Sequence, residues 1–387
     1  MIRQRKRSDE GRGSFVRVLL FEPNPYHYEV IPGFAYYFIR LGYEIDCLLQ
    51  KSDREGDAFI RCPSLKNRIR FYYYREGEGP QRIRELQRSC AYDLLFATSF
   101  DRKQGAGWTD TFRDMLSFDQ SRLGVIGCYH TMKAYLLDRQ NGPLPTDRIV
   151  SLTPVDSGEG FFTEVNANYF CDQGSDRPKN RVTRILSIGH NADRYALRLA
   201  AEAAERDGKQ RVSVVCACRK MPAREFVQRF IAQKGGGDAP SDRNFPPLFH
   251  RHIRVLWGLS FRALFREIDR ADFLDASVLP EQKTVFTSNR TSGTKQLSLG
   301  FLKPCIIEQE IAKYYGFSER SAVVYTEGKM EDAVLRAARM PEEEYRAMVA
   351  ELEKLRDEVR ARSERNLKDM IDRLENRLDT EDRHRRL

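Results

Sequence analysis

The stretch FVRVLLFEPNPYHYEVIPGFAYYFIRLGYEIDCLL, residues 15–49, decides the fold class of this chain. It opens with a strand-length apolar run at 15–21 and continues with an aromatic-rich helical pattern at 29–41 that ends at Gly42. A second strand pattern follows at 43–49. Strand, helix and strand in this order form a βαβ unit, and the two strands of such a unit run parallel. The sequence therefore predicts an α/β protein with a parallel sheet.

The alternation of strands and helices continues along the chain and then starts again. A polar segment at 171–181, which carries Gly and Pro, separates the two series as a domain linker would. We expect two Rossmann-like, doubly wound domains that face a cleft, followed by C-terminal helices. The expected units are a basic flexible tail at 1–14, an N-terminal domain at 15–172, a C-terminal domain at 182–340, and C-terminal helices with a basic tail at 341–387.

The C-terminal segment has an apolar pattern at coiled-coil spacing, which begins at Tyr345 and loses its register at 362–366. We therefore expect two broken helices rather than one long helix.

Charge and composition limit the classes of function. Lys and Arg exceed Asp and Glu by 65 to 56, which favours a phosphate-bearing partner, an anionic surface or solubility alone. Much of the excess lies at the two ends of the chain, so it does not define a groove. No apolar run approaches the roughly 18 residues of a membrane span, and we expect a cytoplasmic protein. Cys216 and Cys218 have no further Cys or His nearby, so we expect no metal site.

Ligands of open α/β sheets bind beyond the carboxyl ends of the strands, which directs attention to the loop 22–34. His27 and Glu29 are candidates for the base that deprotonates a hydroxyl. The alternative is that the tyrosines of this loop pack and the histidine caps a helix. Other candidates for contact with the same substrate are two tyrosines, a glycine at the helix start and a histidine after the strand at 122–127: Tyr26, Tyr28, Gly33 and His130.

The segment FTSNRTSGTKQLSLGFLKPCIIE, residues 286–308, carries the strongest signal for a ligand. A small polar turn at 291–294 opens a short helix, whose backbone amides and neighbouring hydroxyls suit a diphosphate. Arg290 and Lys295 are near enough to neutralise its charge. The spacing is not that of a Walker loop. A helix cap without a ligand is the alternative.

A second phosphate-facing turn is predicted after the strand at 183–189. Gly189 ends this strand and Arg194 lies in the first turn of the next helix, where amides and a guanidinium suit a phosphate. The alternative is a turn glycine beside solvated side chains.

The order of a strand, an Arg-Thr-Ser-Gly-Thr-x-Gln helix and a GFLKPCII strand resembles the donor-binding part of GT-B glycosyltransferases, which bind a nucleotide-sugar. The resemblance extends over most of the chain. It implies that the N-terminal domain holds the acceptor and the C-terminal domain holds the donor. It also implies that the connection after the strand at 252–257 reads the nucleotide base, with Trp257 stacking and Ser260 capping the next helix. The alternative is that Trp257 completes the core. The donor-binding candidates around the diphosphate turn and along its helix are Arg290, Thr291, Ser292, Gly293, Thr294 and Gln296.

Many retaining members of this group carry two glutamates separated by seven residues in this region, whereas Glu308 and Glu310 lie too close together here. The resemblance thus favours inverting chemistry, in which His27 or Glu29 deprotonates the acceptor hydroxyl as the diphosphate leaves. It implies a metal-independent glycosyltransferase with no cofactor besides the nucleotide-sugar. The acceptor would be a sugar, a lipid-linked molecule or a protein, in glycan synthesis at the cytoplasm or the inner membrane face.

Two alternatives stay open. A nucleotide-sugar epimerase shares the paired architecture, although the aromatic loop at 22–34 argues mildly against it. A non-catalytic basic protein for nucleic acid or anionic surfaces ranks lower, because no nucleic-acid-binding module is legible and the basic residues are dispersed.

Overall fold

Parallel β-strands dominate the part of the chain that the structure describes. That structure is a computed structural model, and it describes residues 16–22, 25–51, 57–75, 77–100, 121–140, 144–153, 162–172, 178–188, 212–218, 253–278, 283–289 and 292–386. Within these ranges every pair of neighbouring strands is parallel, and the strands form two sheets. The predicted α/β class with two doubly wound sheets is confirmed.

The first sheet has the strand order β3-β2-β1-β4-β5-β6-β7. Its chain reverses direction across the sheet between β1 and β4, which creates the crevice where such sheets bind ligands. The strands are β1 (Arg17–Glu22), β2 (Glu44–Gln50), β3 (Ile69–Tyr74), β4 (Leu94–Ala97), β5 (Val125–Tyr129), β6 (Ile149–Ser151) and β7 (Thr163–Glu164).

The second sheet has the order β10-β9-β8-β11-β12-β13, so it repeats the winding of the first sheet and has its crevice between β8 and β11. Its strands are β8 (Thr183–Ile188), β9 (Val212–Cys218), β10 (Ile253–Trp257), β11 (Phe273–Asp275), β12 (Cys305–Glu308) and β13 (Val323–Tyr325).

The described α-helices connect these strands or follow them. They are α1 (Ile31–Arg40), α2 (Pro63–Lys66), α3 (Gly79–Ser89), α4 (Met132–Arg139), α5 (Phe261–Arg270), α6 (Gly293–Phe301), α7 (Gln309–Tyr315), α8 (Met330–Arg339) and α9 (Glu342–Arg386). None of the described helices combines the length and the apolar composition that a membrane crossing requires.

The βαβ unit that the sequence predicts at 15–49 forms as expected, with β1 and β2 parallel. Val18, Leu19 and Leu20 are fully buried in β1, because a central parallel strand is covered on both faces. Helix α1 starts after the 3-10 turn Pro25–Val30, and Gly42 follows its end with a φ of 85°, a conformation that glycine adopts without strain.

Helix α9 corrects the expectation of two broken helices, because it runs without interruption from Glu342 to Arg386. Polar residues at the register slip contact β7 and the segment that follows it instead of ending the helix. The Ser363 hydroxyl accepts a hydrogen bond from the backbone amide of Asn166 (2.9 Å), and Asn366 Nδ2 donates to the carbonyl of Glu164 (2.9 Å). Earlier in the helix, Tyr345 packs against the second sheet and donates to Asp272 O (3.1 Å).

The two halves also meet through residues 165–170, between β7 and β8. Phe170 stacks on Phe301 of α6 with ring centroids 5.7 Å apart. Arg61 of the first half pairs with Asp269 of α5. On the cleft side, elements at the carboxyl edge of the second sheet contact the residues that follow β6: Gln296 Nε2 donates to Leu152 O at 3.4 Å. The carboxyl edges of the two sheets therefore face each other.

Candidate functional site

Three polar side chains converge where β1 and β5 end. His27 and Glu29 lie in the 3-10 turn after β1, with His27 Nδ1 3.7 Å from Glu29 Oε1. The ring of His130, which follows β5, meets the ring of His27 edge-on, with centroids 4.5 Å apart. His27 keeps 28% of its side-chain surface exposed, whereas His130 is buried. The structure thus joins a solvent-accessible imidazole with a carboxylate and a second, fixed imidazole.

His130 is held by the residue that follows β4, the strand between β1 and β5. Its Nε2 lies 3.0 Å from the carbonyl oxygen of Thr98, and this contact assigns a proton to Nε2 because a carbonyl only accepts. Thr98 is held in turn by the buried carboxylate of Glu22, which accepts hydrogen bonds from the Thr98 hydroxyl (2.6 Å) and the Ser99 hydroxyl (2.5 Å). Glu22 ends β1 and Thr98 directly follows β4, so this network lies in the crevice of the first sheet.

Two other candidates of the loop 22–34, Tyr28 and Gly33, make close contacts with neighbouring segments. Tyr28 is buried and donates its hydroxyl to Gln50 O at 2.7 Å. A Cβ at Gly33 would come within 2.6 Å of the Ala167 backbone, so this glycine permits a close approach of α1 to the segment between the sheets. Tyr26 belongs to the 3-10 turn, and its side chain lies outside the described residues.

The predicted polar turn does open a helix. Ser292 is the N-cap residue of α6 and has extended backbone angles, and Gly293 is the first helical residue. The Ser292 side chain makes no cap hydrogen bond, so it does not satisfy the first-turn amides, which include those of Gly293 and Thr294. Helix α6 then leads through Lys303 and Pro304 into β12, as the sequence predicts.

Lys295 brings a buried positive charge to the first turn of α6. Its side chain is 2% exposed, and Nζ lies 4.8 Å from the ring centroid of Tyr315. Among the described residues no carboxylate lies within ion-pair distance of Nζ. Burial lowers the pKa of Lys295 from its usual 10.5 to about 8, and attraction by Glu164 opposes this only in part. A buried amine thus lies in the first turn of a helix, at the end where the helix dipole is positive.

Gln296 extends the site toward the first sheet. Its side chain is buried and donates to Leu152 O, which also accepts from Asn166 Nδ2 at 3.2 Å. Gln296 Oε1, Asn166 Oδ1 and Glu164 Oε1 are buried without a hydrogen-bond partner in the described part of the chain. Buried oxygens of this kind cost free energy unless a donor reaches them. They cluster where α6 meets the first sheet.

The crevice of the second sheet holds another buried carboxylate. Asp275 ends β11 and accepts a hydrogen bond from the Ser277 amide at 2.9 Å. Burial raises the pKa of Asp275 above its usual value, although bonds from Ser277 and Ser187 oppose the shift. No group of three His, Cys, Asp or Glu side chains that could hold a metal ion is found among the described residues.

The other candidates of the second half differ in how much of each lies among the described residues. Ser260 caps α5, as predicted, by accepting a hydrogen bond from Ala263 N at 3.4 Å. Trp257 ends β10, and its side chain lies outside the described residues. Four further candidates lie wholly outside the described residues: Gly189, Arg194, Arg290 and Thr291.

Sequence reasoning missed the buried polar residues of both crevices. Glu22 stands directly after an apolar strand, and Thr98 and Ser99 follow the next apolar run at 94–97. Asp275 likewise ends a strand pattern. The sequence signal that could have indicated these residues is a polar residue immediately after an apolar strand.

Of the comparisons with known proteins, the comparison with solved structures identifies the fold. No protein-family model matches this sequence, and no curated protein matches it. A glycosyltransferase from Rickettsia africae ESF-5 is similar over 93% of this chain and 99% of that chain, with 11% identity and a TM-score of 0.51. An alpha-glucosyltransferase in complex with UDP and a 13-mer DNA containing an HMU base is similar over 87% and 95%, with 13% identity and a TM-score of 0.53.

An O-GlcNAc transferase of Thermobaculum terrenum is similar over 93% of this chain and 67% of that chain, with 14% identity and a TM-score of 0.51. This chain has the fold of GT-B glycosyltransferases, as the resemblance implied. At such low identities the likeness establishes the fold, and the reaction must be argued from the site.

Proposed function

We propose that this protein is a glycosyltransferase that moves a sugar from a nucleotide-diphosphate-sugar to an acceptor hydroxyl without a bound metal. The observation that carries the proposal is Lys295, a buried ammonium in the first turn of α6 that has no counter-ion among the described residues. An unpaired buried charge is costly, and a protein keeps one where a ligand completes it.

The donor diphosphate would bind at the start of α6. The amides after Ser292 point along the helix axis toward negative charge, and Lys295 adds a full positive charge beside them. Both groups are fixed before the reaction, so they stabilise the charge that develops on the diphosphate as the bond to the sugar breaks. In this proposal Gln296 and the unpartnered oxygens beside it receive hydroxyl donors of the sugar.

The acceptor would be activated from the opposite sheet. His27 takes the proton of the acceptor hydroxyl while that oxygen bonds to the sugar carbon and the diphosphate departs from the other side. Glu29, beside Nδ1, stabilises the imidazolium that forms and directs Nε2 toward the acceptor. His130 positions the ring of His27 through their edge-on contact. The direct displacement inverts the configuration at the sugar carbon.

The setting belongs to the proposal as well. We place the reaction in the cytoplasm, in the synthesis of glycans or glycoconjugates, with a sugar, lipid-linked or protein acceptor. UDP is the first nucleotide to test, because a solved structure of the same fold contains it.

A thermal-shift screen with UDP, GDP, CMP and dTDP tests the donor side. We expect one nucleotide to raise the melting temperature of the wild type, and Gly293→Trp and Lys295→Met to abolish that shift. Lys313→Met is the matched control, because Lys313 is an exposed lysine of α7. A wild type that responds to none of the nucleotides, even at millimolar concentration, contradicts the proposal.

The base is tested separately. With the nucleotide-sugar that the screen indicates, His27→Ala should retain the thermal shift of the wild type and lose transfer to the acceptor. Hydrolysis of the donor by water gives an assay that requires no knowledge of the acceptor. Unchanged turnover in His27→Ala would remove His27 from the mechanism.

A further inference from the structure

Tyr315, the last residue of α7, forms hydrogen bonds with the backbone of Phe286 and with that of Ser292, the N-cap residue of α6. Its hydroxyl donates a hydrogen bond to the carbonyl of Phe286 at 2.9 Å and accepts one from the backbone amide of Ser292 at 3.1 Å. One buried phenol therefore joins the helical turn Val285–Asn289 to the N-cap residue of α6, at two backbone positions six residues apart in sequence.

The ring of Tyr315 also shapes the environment of Lys295. Nζ of Lys295 lies 4.8 Å from the ring centroid, a distance at which the π-face attracts a cation. The same side chain thus fixes the N-cap residue of α6 and the ammonium one turn later.

Helix α7 is itself firmly anchored at the edge of the second sheet. The Glu308 carboxylate caps it by accepting hydrogen bonds from the amides of Glu310 (2.9 Å) and Ile311 (3.3 Å). Lys283, at the start of the segment that leads to Phe286, pairs with Glu308 at 3.2 Å and with Glu310 at 2.7 Å. Tyr315 therefore holds the backbone of Phe286 and of Ser292 against a helix that is itself fixed.

We propose that Tyr315 is a positioning residue that pre-organises the diphosphate site at the start of α6. The inference rests on the proposed function and adds to it a residue that does not touch the donor. Fixing a turn of several residues costs conformational entropy of roughly 1 kcal/mol or more per residue. When the hydroxyl of Tyr315 already holds the backbone at Ser292, the ligand is spared part of that cost and binds more tightly.

The test uses inorganic pyrophosphate, a diphosphate without a base or a sugar, and measures its dissociation constant by calorimetry. Tyr315→Phe keeps the ring and its contact with Lys295 but removes both hydrogen bonds. We expect this variant to bind pyrophosphate roughly tenfold more weakly than the wild type. Tyr345→Phe is the matched control: it also removes a buried hydroxyl that donates to a backbone carbonyl, but on the segment that packs against β11. Its affinity should equal that of the wild type.

Amide hydrogen exchange supplies a second readout. In Tyr315→Phe the peptides that cover 286–296 should exchange faster than in the wild type, while those of β12 keep their protection. A merely structural role would lower the melting temperature without this local change.

The outcomes separate the two proposals. If the wild type binds pyrophosphate and Tyr315→Phe binds it equally well with unchanged exchange, the positioning role is overturned and the proposed function stands. If the wild type binds neither pyrophosphate nor any nucleotide, the proposed function fails and the positioning role fails with it.

Discussion

Gly300 of α6 lies directly against Asn168, in the segment that links the two sheets: a Cβ at Gly300 would come within 2.6 Å of the Asn168 carbonyl oxygen. Gly33 of α1 meets the same segment at Ala167. Two glycines from opposite halves thus allow two helices to hold residues 165–170 between them, and this close approach brings α6 to the first sheet.

Gly300→Ala should destabilise the protein, because the new methyl group meets a carbonyl oxygen and the ring of Phe170. Overpacking of this kind costs about 1–3 kcal/mol, which urea denaturation measures. Gly293→Ala is the control on the same helix, since a Cβ there meets no atom within 4 Å. Equal free energies of unfolding of the two variants would show that the backbone at Asn168 moves to accommodate the methyl group at little cost.

Lys295→Met should stabilise the protein at pH 7. The unfolded chain keeps its proton up to pH 10.5, whereas the folded protein releases it near pH 8, so below pH 8 the buried charge costs about 3 kcal/mol. The cost disappears as pH rises from 8 to 10.5. The stability difference between variant and wild type, measured by urea denaturation, should therefore shrink over that window.

Lys313→Met provides the comparison, because its exposed ammonium should give no such pH-dependent difference. A Lys295→Met variant that is less stable than the wild type at pH 7 would argue against an uncompensated charge at this position.

Arg360→Lys should weaken the attachment of α9 to the first half. The Arg360 guanidinium donates to Asn168 Oδ1 (2.8 Å) and to Asn168 O (3.0 Å), and it lies over the rings of Tyr36 and Tyr169, at 5.5 and 4.9 Å. A lysine cannot reproduce this planar arrangement, so we expect a loss of about 2 kcal/mol in the free energy of unfolding.

The control is Arg346→Lys on the same helix, where the side chain is 69% exposed and pairs with Glu342. Its effect should stay within about 0.5 kcal/mol. Equal effects of the two substitutions would contradict a specific role of Arg360.

His130→Phe should lower turnover and leave donor binding intact. Phenylalanine preserves an aromatic ring beside His27 but loses the bond to Thr98 O, so the ring of His27 is held less firmly. Small misplacements of a catalytic group cost up to about 100-fold in rate. The measurement is kcat with the donor that the thermal-shift screen identifies.

A double-mutant cycle isolates this effect. In the His27→Ala background the substitution of His130 should cost nothing further, because there is no base left to position. Additive losses would mean that His130 acts on the substrate independently of His27.

Local patterns were sufficient to predict the elements around the site. The apolar run of β1, the glycine after α1 and the serine that caps α5 act through neighbours a few residues away, so the sequence contains the whole cause. The helix that begins at Gly293 was predictable for the same reason. In contrast, the register slip at 362–366 wrongly suggested a break, because its polar residues find partners at 164–166, which lie 197 and 202 residues earlier in the chain.

The sequence by itself determined the two parallel sheets, since hydrophobic periodicity and turn residues leave few other ways to bury so many strand-length apolar runs. Tertiary structure alone decided that Lys295 is buried with no carboxylate of the described residues within ion-pair distance, that His130 meets His27, and that the Tyr315 hydroxyl accepts a hydrogen bond from the Ser292 amide. Burial and pairing of a polar group depend on distant chain segments folding to the same place, and a local pattern carries no information about that distance.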